Sequence, residues 1–382
     1  MLLLDVSRLI WRRWSGRLPT GIDRVCLAYV EHFGGNALAV VQQGGWRRIL
    51  DARTSQALFA RLRQPGPDFR AAFTRMVLRR ASNWVIGRSM RGALYLNVGH
   101  TGLDTPHLVP WIHREGLKAV YFIHDLIPIT HPEYCRPGEE ERHRLRMGSV
   151  LDSGAGVIGN SQDTLRSLSH YAREAGFKMP PAIAAPLGSD LRALTRRDES
   201  PSQRPSFVVV GTIEGRKNHL LLLQIWDRLA RELGERTPRL IIVGQRGWES
   251  EQAADLLDRA RNLKPHVLEL GRCTDRELAD HLASARALLF PSFVEGYGLP
   301  LIEALHQGTP VIASDLPVFR EIGGDIPDYL DPIDGPAWLR TIMDYAASPS
   351  PRRDAQIARL GSYCAPSWSE HFRIVEPFLD GI

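Results

Sequence analysis

Short apolar segments alternate with longer amphipathic segments along this chain, and this alternation limits its possible folds more than any other feature. A short apolar run indicates a strand buried on both faces, and an amphipathic stretch indicates a helix that covers a sheet. The alternation therefore predicts βαβ units and parallel sheets. The predicted strands are Leu2–Val6, Ala37–Gln42, Ala93–Asn97, Ala119–Ile123, Gly156–Ile158, Ser206–Val210, Arg239–Val243, Val267–Glu269, Ala287–Phe290 and Pro310–Ala313. Predicted helices in the second half are Asn218–Leu233, Ser250–Leu263 and Thr274–Ser284.

The length of the chain and a polar segment near its middle predict two domains. With 382 residues the chain is long enough to form two hydrophobic cores. Residues 196–205 are polar and contain prolines, as expected of an exposed linker. We predict a first domain over residues 1–190 and a second over residues 205–364. Each should be a doubly wound, Rossmann-like α/β domain that binds ligands at the carboxyl ends of its strands.

Residues 291–308 contain the strongest functional signal in the chain. A glycine-bearing loop from Glu295 to Leu299 precedes a helix that is predicted to begin at Pro300 and end at Gly308. Glycines let a backbone approach a ligand closely, and the N–H groups at a helix start attract phosphate. Glu295, and Glu303 in the first helical turn, flank this anion site and would accept hydrogen bonds from sugar hydroxyls. The pattern predicts a pocket for a ligand that is part phosphate and part sugar.

Two adjacent cations, Arg216 and Lys217, lie between a predicted strand and the helix predicted from Asn218. Two positive charges beside a helix start form a diphosphate site, and they can neutralise the charge of a leaving group without a metal. The alternative is an ordinary pair of surface side chains.

His124 and Asp125 follow another predicted strand, at the end where the active-site groups of such sheets emerge. His124 is either an active-site residue or a structural histidine. For Asp125 we expect a local role, in which its carboxylate shapes the turn.

The order and spacing of these motifs resemble the retaining family-four glycosyltransferases, which have the GT-B fold. Glu295 and Glu303 match the Glu-x7-Glu signature of that family. The resemblance extends over nearly the whole chain and includes residues 20–25, 123–128, 159–161, 186–188, 211–218 and 270–272. It implies two Rossmann-like domains that face a central cleft. It also implies that the last helix, within about 367–382, packs back onto the first domain.

The resemblance further implies that the second domain binds a nucleotide-sugar donor. Glu303 would bind the ribose, and Lys217 with Arg216 would bind the diphosphate. Glu295 would hold the donor sugar and its phosphate together with the backbone amides of Gly296, Tyr297, Gly298 and Leu299.

Three other positions complete this expected donor site. The backbone near Cys273 would contact the base, and Gly244 would let the same ligand approach closely. Thr212 departs from the family pattern, because many members have arginine directly after the glycine at position 211. Either Arg216 supplies the missing charge, or the phosphate is bound more weakly than in those members.

The first domain is expected to complete the donor site and to supply most of the acceptor site. Gly21, in a loop before a helix predicted from Ile22, would close over the donor phosphate. His124 would lie near the donor sugar and the acceptor, where it would donate a hydrogen bond or stabilise positive charge. In the retaining reaction that the resemblance implies, the departing phosphate oxygen takes the acceptor proton, so that no dedicated base is needed.

The segment Gly211–Asn218 looks most like the variant common in bacterial mannosyltransferases of surface-polysaccharide and lipopolysaccharide assembly. This favours GDP-mannose as the donor and a lipid-linked oligosaccharide as the acceptor. The alternatives are a UDP-sugar-dependent transferase, a sugar-nucleotide epimerase of the same fold, and a non-catalytic nucleotide-sugar-binding subunit. A dinucleotide dehydrogenase is disfavoured, since the segment after Val6 lacks the Gly-x-Gly-x-x-Gly turn.

The positive charge of the chain, formally +5, is concentrated in residues 61–91. Eight arginines occur there against one acid, Asp68, and a set of apolar residues approximates one helical face: Phe69, Phe73, Met76, Val77, Trp84 and Val85. One interpretation is an amphipathic helix that binds an anionic membrane. The other is a helix that packs on its own domain with a solvated arginine face. No recognised nucleic-acid-binding motif accompanies the arginines, so nucleic acid is not an expected partner.

The remaining composition predicts a cytoplasmic enzyme, attached to the inner face of the membrane if residues 61–91 bind lipid. The chain shows neither a signal peptide nor a run long enough to span a membrane. Its four cysteines are scattered and lack the spacing of metal ligands, which indicates free thiols in a reducing compartment. We expect neither a metal nor any other cofactor to be required.

Overall fold

The protein divides into two compact units in a computed structural model that describes residues 1–17, 20–64, 66, 68–79, 89–189, 204–271 and 273–382. One unit contains residues 1–187 and 368–382, and the other contains residues 188–367. The predicted boundaries were 190 and 205, with about 367–382 assigned to the first domain. Most of the predicted linker (residues 196–203), Arg272 of the 270–272 motif and residues 80–88 lie outside the described residues.

Helices and strands alternate through both units. The first unit contains β1 (Leu2–Asp5), α1 (Ser7–Trp14), α2 (Gly21–Phe33), β2 (Ala37–Gln43), β3 (Trp46–Ile49), α3 (Ala52–Arg63), α4 (Phe69–Arg79), β4 (Leu94–Asn97), α5 (Leu108–Glu115), β5 (Lys118–Ile123), α6 (Ile127–Thr130), α7 (Glu139–Ser153), β6 (Gly154–Gly159), α8 (Gln162–Glu174) and β7 (Ala182–Ala184). The second contains β8 (Ser206–Val210), α9 (His219–Leu233), β9 (Arg239–Val243), α10 (Glu251–Arg259), β10 (Val267–Leu270), α11 (Asp275–Ala283), β11 (Ala287–Phe290), α12 (Leu299–His306), β12 (Val311–Ser314), α13 (Pro317–Gly323), β13 (Asp328–Leu330), α14 (Gly335–Ala346) and α15 (Pro351–Leu360). Helix α16 (Trp368–Gly381) belongs to the first unit.

Each unit is built on one sheet whose first strand in the sequence lies in the interior of the sheet. The strand order is β3-β2-β1-β4-β5-β6-β7 in the first unit and β10-β9-β8-β11-β12-β13 in the second. The neighbouring strands run parallel, except that β3 pairs antiparallel with β2. Because the order reverses at β1 and at β8, the carboxyl ends of these strands lie at topological switch points, where such sheets bind ligands.

The strands that the sequence predicted are present, and three short ones were missed. β3 (Trp46–Ile49), β7 (Ala182–Ala184) and β13 (Asp328–Leu330) are the edge strands of the two sheets, together with β10. An edge strand is not covered on all sides, so it needs no continuous apolar run that would reveal it.

Large aromatic side chains with satisfied polar groups fill the core of the second unit. Trp226 and Trp338 are fully buried, and each indole N–H donates to a backbone carbonyl: Trp226 to Pro238 and Trp338 to Asp331, both at 2.9 Å. Burial of side chains of this size contributes roughly 2–3 kcal/mol each, and the hydrogen bonds remove the cost of burying the N–H groups.

Helix α16 packs against α2 within the first unit, in keeping with the expectation for the last helix. The Phe372 ring stacks on His32 with centroids 3.8 Å apart and meets Tyr29 edge-on at 5.1 Å. His371 is buried, and its Nε2 atom forms a hydrogen bond of 2.9 Å with the hydroxyl of Tyr29. The last residues of the chain therefore complete the core of the first unit.

The basic segment 61–91 does not form one continuous helix in its described part. Helix α3 ends at Arg63, and α4 begins at Phe69. Phe69 and Phe73 are buried, and the ring of Phe73 meets that of Trp14 edge-on at 6.2 Å. These two aromatic residues thus pack on their own domain. Membrane attachment through the exposed arginines stays a prediction.

Replacement of Phe372 by alanine should destabilise the first unit by about 3–5 kcal/mol, because it deletes a buried ring that packs against several aromatic rings. Ile374→Ala is the matched control on the same helix, since Ile374 is 40% exposed; it should cost less than about 1 kcal/mol. Urea unfolding followed by circular dichroism gives both values. Equal effects of the two variants would show that α16 does not contribute to the core.

Candidate anion-binding site

The loop between β11 and α12 carries the main sequence motif, and Gly298 shapes it. Gly298 has a φ of +120°, and a Cβ atom there would lie 2.9 Å from the ring of Phe319, so the position requires glycine. Helix α12 begins at Leu299, and Gly308 follows it with a φ of +71°, as predicted. Glu303 lies in the second turn of α12 rather than in the first, and it is 1% exposed.

Glu295 lies at the centre of a buried ionic cluster. Its Oε1 atom accepts hydrogen bonds from the Lys217 ammonium and, at 2.7 Å, from the Ser292 hydroxyl. Its Oε2 atom accepts from Nη1 of Arg216 at 2.8 Å. Arg216 also pairs with Glu214 through Nε at 2.7 Å. Both predicted phosphate-binding cations are therefore held by the same carboxylate.

Charge and burial act in opposite directions on this cluster. Burial by itself raises the pKa of Glu295, but the charges of Lys217 and Arg216 outweigh it and lower that pKa to about 2. Burial lowers the pKa of Lys217, whereas the charge of Glu295 acts against that shift. The Lys217 ammonium also lies 5.1 Å from the centre of the Phe290 ring. Glu295 is thus fully ionised at neutral pH.

The backbone brings Lys217 to the end of β8. Residues Gly215–Lys217 form a single 3₁₀ turn, and Asn218 follows with a φ of +56° before α9 begins. Gly211 has a φ of +143°, and a Cβ atom there would lie 3.4 Å from Cε of Lys217. The amide of Phe293 donates to the carbonyl of Arg216 at 2.8 Å, which ties the β11 loop to this turn.

The cluster keeps hydrogen-bonding capacity for a ligand. Among the described contacts, Lys217 uses one of its three N–H groups on Glu295. A carboxylate has about four acceptor positions, and the three bonds above occupy three of them on Glu295. The sequence predicted that Glu295 accepts from a sugar and that the cations bind phosphate. The structure shows in addition that the three residues bind one another.

Other predicted donor-site positions have local roles that the structure makes visible. Burial raises the pKa of the Cys273 thiol, and the charges of Glu277, Asp275 and, least, Glu303 raise it further. A Cβ atom on Gly244 would lie 1.9 Å from the carbonyl oxygen of Gly211, so the protein's own backbone requires glycine there. Thr212 is exposed. Its methyl group lies so near Gly247 that a Cβ atom on Gly247 would be only 2.6 Å from it, which favours glycine at position 247. The side chain of Tyr297 is buried.

In the first unit, His124 follows β5 as predicted and is almost fully buried. The Nε2 atom of His124 donates to the carbonyl of Val98 at 2.7 Å. The backbone carbonyl of His124 accepts a hydrogen bond of 2.7 Å from the side-chain amide of Asn160. Burial lowers the pKa of His124 to about 4, so the ring is neutral at pH 7. The expected role of Asp125 is confirmed, since its carboxylate accepts from the amide of Ile127 at 3.1 Å.

Gly21 is the first residue of α2, not part of a loop that precedes Ile22. The carboxylate of Asp23 accepts from the amide of Thr20 at 2.6 Å and from Nε of Arg8 at 2.8 Å. Because Asp23 bonds the backbone just before Gly21, the helix begins one residue earlier than its apolar pattern suggests.

Three residues near the ionic cluster escaped sequence reasoning: Glu214, Ser292 and His219. His219 is 2% exposed, and neither of its ring nitrogens has a hydrogen-bond partner among the described residues. Burial, reinforced by the charge of Lys217, lowers its pKa to about 3. Serine, glutamate and histidine are common at surface turns, so their types alone gave no signal of a buried cluster.

Other site types have little support in the described part of the chain. No group of three or more histidine, cysteine, aspartate or glutamate side chains there could hold a metal ion. No disulfide joins Cys26, Cys135, Cys273 and Cys364 to one another in this structure. Within the same residues, no helix combines the length and the apolar character needed to cross a membrane.

Comparison with known proteins places this architecture among the transferases. The fold and site described above are those of a doubly wound α/β protein with two adjacent cations near a strand end. Residues 192–325 match the family "Glycosyl transferases group 1". The O-antigen chain mannosyltransferase B of Escherichia coli is 36% identical over 264 residues, which cover 66% of this chain and 67% of that protein. The chain therefore belongs to the group 1 glycosyl transferases.

A second relative and two solved structures support the family and the fold. The serotype-specific mannosyltransferase WbdA of Escherichia coli is 30% identical over 240 residues, 57% of this chain, but the match spans only 29% of WbdA. HepE of Anabaena, solved with UDP and glucose, superposes with a TM-score of 0.65 at 16% identity and covers 95% of this chain and 97% of its own. Sucrose-phosphate synthase of Thermosynechococcus elongatus gives 0.60 at 17% identity, with 94% and 92% covered. The fold is GT-B.

Replacement of His219 by leucine should make the second unit less sensitive to acid. A histidine whose pKa is about 3 when folded and about 6.5 when unfolded destabilises the fold as pH falls below 6.5. Between pH 7 and pH 5 this amounts to about 2 kcal/mol, which His219→Leu should abolish. Urea unfolding at both pH values measures it. The partly exposed His281 provides the control variant His281→Leu, and an unchanged pH dependence in His219→Leu would contradict this account.

Proposed function

We propose that this protein transfers a hexose from a nucleotide diphosphate sugar to an acceptor hydroxyl, with retention of configuration and without a metal. The favoured donor is GDP-mannose, and the favoured acceptor is a lipid-linked oligosaccharide of surface-polysaccharide biosynthesis. The observation that carries the proposal is the buried cluster in which Glu295 holds Lys217 and Arg216. The names of the mannosyltransferase relatives support the choice of sugar.

The cluster is suited to bind and stabilise a departing diphosphate. Lys217 and Arg216 are fixed before the ligand arrives, so little reorganisation is needed when negative charge develops on the leaving group. The Lys217 side chain is about 10% exposed, and a buried cation interacts with phosphate more strongly than a solvated one. Glu295 prevents the two cations from repelling each other in the absence of donor, and its remaining acceptor position would serve a sugar hydroxyl.

The remaining site residues of the second unit would bind the other parts of the donor. Glu303, buried in α12, would accept hydrogen bonds from the ribose. The backbone of residues 296–299 would hold the donor sugar and its phosphate, and the backbone near Cys273 would contact the base. With two cations on the diphosphate, no metal ion is needed to neutralise it.

The chemical step needs no dedicated base in this proposal. As the bond to the leaving oxygen breaks, that oxygen gains negative charge and can take the proton of the incoming acceptor hydroxyl. His124 is neutral at pH 7, and its Nε2–H is committed to Val98. Its role is therefore to orient groups by hydrogen bonding through Nδ1, while Gly21 marks the backbone expected to approach the donor phosphate.

Lys217→Ala should lower kcat/KM by roughly 30- to 1,000-fold, since it removes about 2–4 kcal/mol of stabilisation from the leaving diphosphate. Lys264→Ala, an exposed lysine of the same unit, is the matched control and should have near-normal activity. Circular dichroism establishes that each variant is folded. Near-normal turnover by a folded Lys217→Ala protein would reject the role of the cluster.

The nucleotide preference is tested by calorimetry. GDP should bind more tightly than UDP, and GDP-mannose should be hydrolysed slowly in the absence of acceptor. Both results should be unchanged in EDTA, because the two cations replace a metal. Tighter binding of UDP would shift the donor assignment to a UDP-sugar. Loss of activity in EDTA with rescue by magnesium or manganese would exclude the metal-independent mechanism.

A further inference from the structure

Three histidine rings lie together at the carboxyl edge of the first unit's sheet. His100 follows β4, His124 follows β5, and His143 projects from α7. The ring centre of His100 is 5.1 Å from that of His124 and 6.0 Å from that of His143. Of the three, only His124 has a place in the proposed function. The other two therefore require an explanation.

The hydrogen bonds fix the same tautomer in all three rings. Nε2 of His124 bonds the carbonyl of Val98 at 2.7 Å, Nε2 of His100 bonds that of Phe122 at 2.9 Å, and Nε2 of His143 bonds that of Asp125 at 3.2 Å. A carbonyl can only accept, so each Nε2 must carry the proton. Burial lowers the pKa of each ring and keeps it neutral. Every Nδ1 atom therefore presents a lone pair, which needs a donor.

Within the described part of the chain, His143 lacks such a donor. Its side chain is 3% exposed, and its Nδ1 atom has no hydrogen-bond partner among the described residues. The Nε–H of Arg146, three residues later on the same face of α7, also has no hydrogen-bond partner among the described residues, and the Arg146 side chain is 17% exposed. The nearest described carboxylates are 3.9 Å (Asp104) and 3.7 Å (Glu139) from the terminal nitrogens of Arg146. A buried lone pair and a buried N–H are thus carried by two residues that lie three positions apart on α7.

The conformation of His100 points to the same place. Its φ is +59°, a left-handed value that is strained for a residue with a side chain. Gly99 before it permits close packing, because a Cβ atom there would lie 2.7 Å from Cβ of Arg8. The bond from Nε2 to Phe122 then holds the ring of His100 beside that of His143. Residues in such strained conformations persist only where the surrounding structure holds them, and they cluster at active sites and ligand-binding sites.

We propose that His100, His143 and Arg146 form a subsite for a hydroxyl group of the saccharide acceptor. A hydroxyl oxygen can accept from the Nε–H of Arg146 and donate its proton to Nδ1 of His143 at the same time. A phosphate or an ionised carboxylate has no proton to donate and would meet the lone pair of His143 with another lone pair. This inference rests on the proposed function, which supplies the saccharide. His124 beside His100 links the subsite to the strand end where transfer is expected.

Nuclear magnetic resonance of the full chain labelled with ¹⁵N-histidine tests the subsite directly. Long-range ¹H–¹⁵N spectra should show the Nε2–H tautomer for the three rings. Titration with octyl α-mannoside, a mannobiose and, as a non-hydroxylic anion, inorganic phosphate should move the Nδ1 signal of His143 with the saccharides only. If no saccharide changes the Nδ1 chemical shift of His143, the buried atoms are hydrogen-bonded to structural water alone. That result would overturn the subsite.

A kinetic comparison separates this inference from the proposed function. His143→Gln keeps an N–H for the carbonyl of Asp125 but lacks the Nδ1 lone pair, so the acceptor KM should rise at least tenfold while nucleotide affinity is unchanged. The exposed His113 provides the control variant His113→Gln, which should match the wild type. An unchanged acceptor KM in His143→Gln, with active wild type, would refute the subsite alone. Failure of every sugar nucleotide as donor, with the Nδ1 shift present, would refute the proposed function alone.

Discussion

The carboxylate of Glu295 is the point on which the site of the second unit depends. It is almost completely removed from water and bonds two cations that belong to a different loop. Removal of one member of a buried ion pair typically costs about 3–5 kcal/mol, because the remaining charge is left without a partner. The β11 loop and the turn after β8 must therefore keep their relative position. A ligand that binds either one finds the other already in place.

The two units use the carboxyl ends of their strands differently. In the second unit, full charges compensate each other, and Glu295 stays ionised because two cations face it. In the first unit, burial keeps three histidines neutral, and their Nε2–H groups donate to backbone carbonyls. The former arrangement suits a diphosphate, and the latter suits an uncharged polyhydroxylated group. This division matches the separate donor and acceptor roles expected of a glycosyltransferase.

Much of the fold and part of the site were readable from the sequence, for physical reasons that differ from residue to residue. Interior strands such as β8 consist largely of apolar residues, which point to both faces of the sheet. Gly308 ends its helix in the left-handed conformation that its residue type predicted. Edge strand β3 has no such pattern. Partnerships between distant residues were not readable either. The sequence gives no sign that Ser292 and Glu214 join the cluster, or that Gly244 is small because of Gly211.

The most direct test of the central claim is a transfer assay with a panel of radiolabelled sugar nucleotides and a lipid extract as the source of acceptors. The purified chain should move label from GDP-mannose, in preference to UDP-sugars, into a larger saccharide. The product should form in the presence of EDTA and should be lost in Lys217→Ala. If a folded, pure preparation transfers label from none of the nucleotides and binds neither GDP nor UDP, the buried Glu295 cluster is not a donor site and the account is wrong.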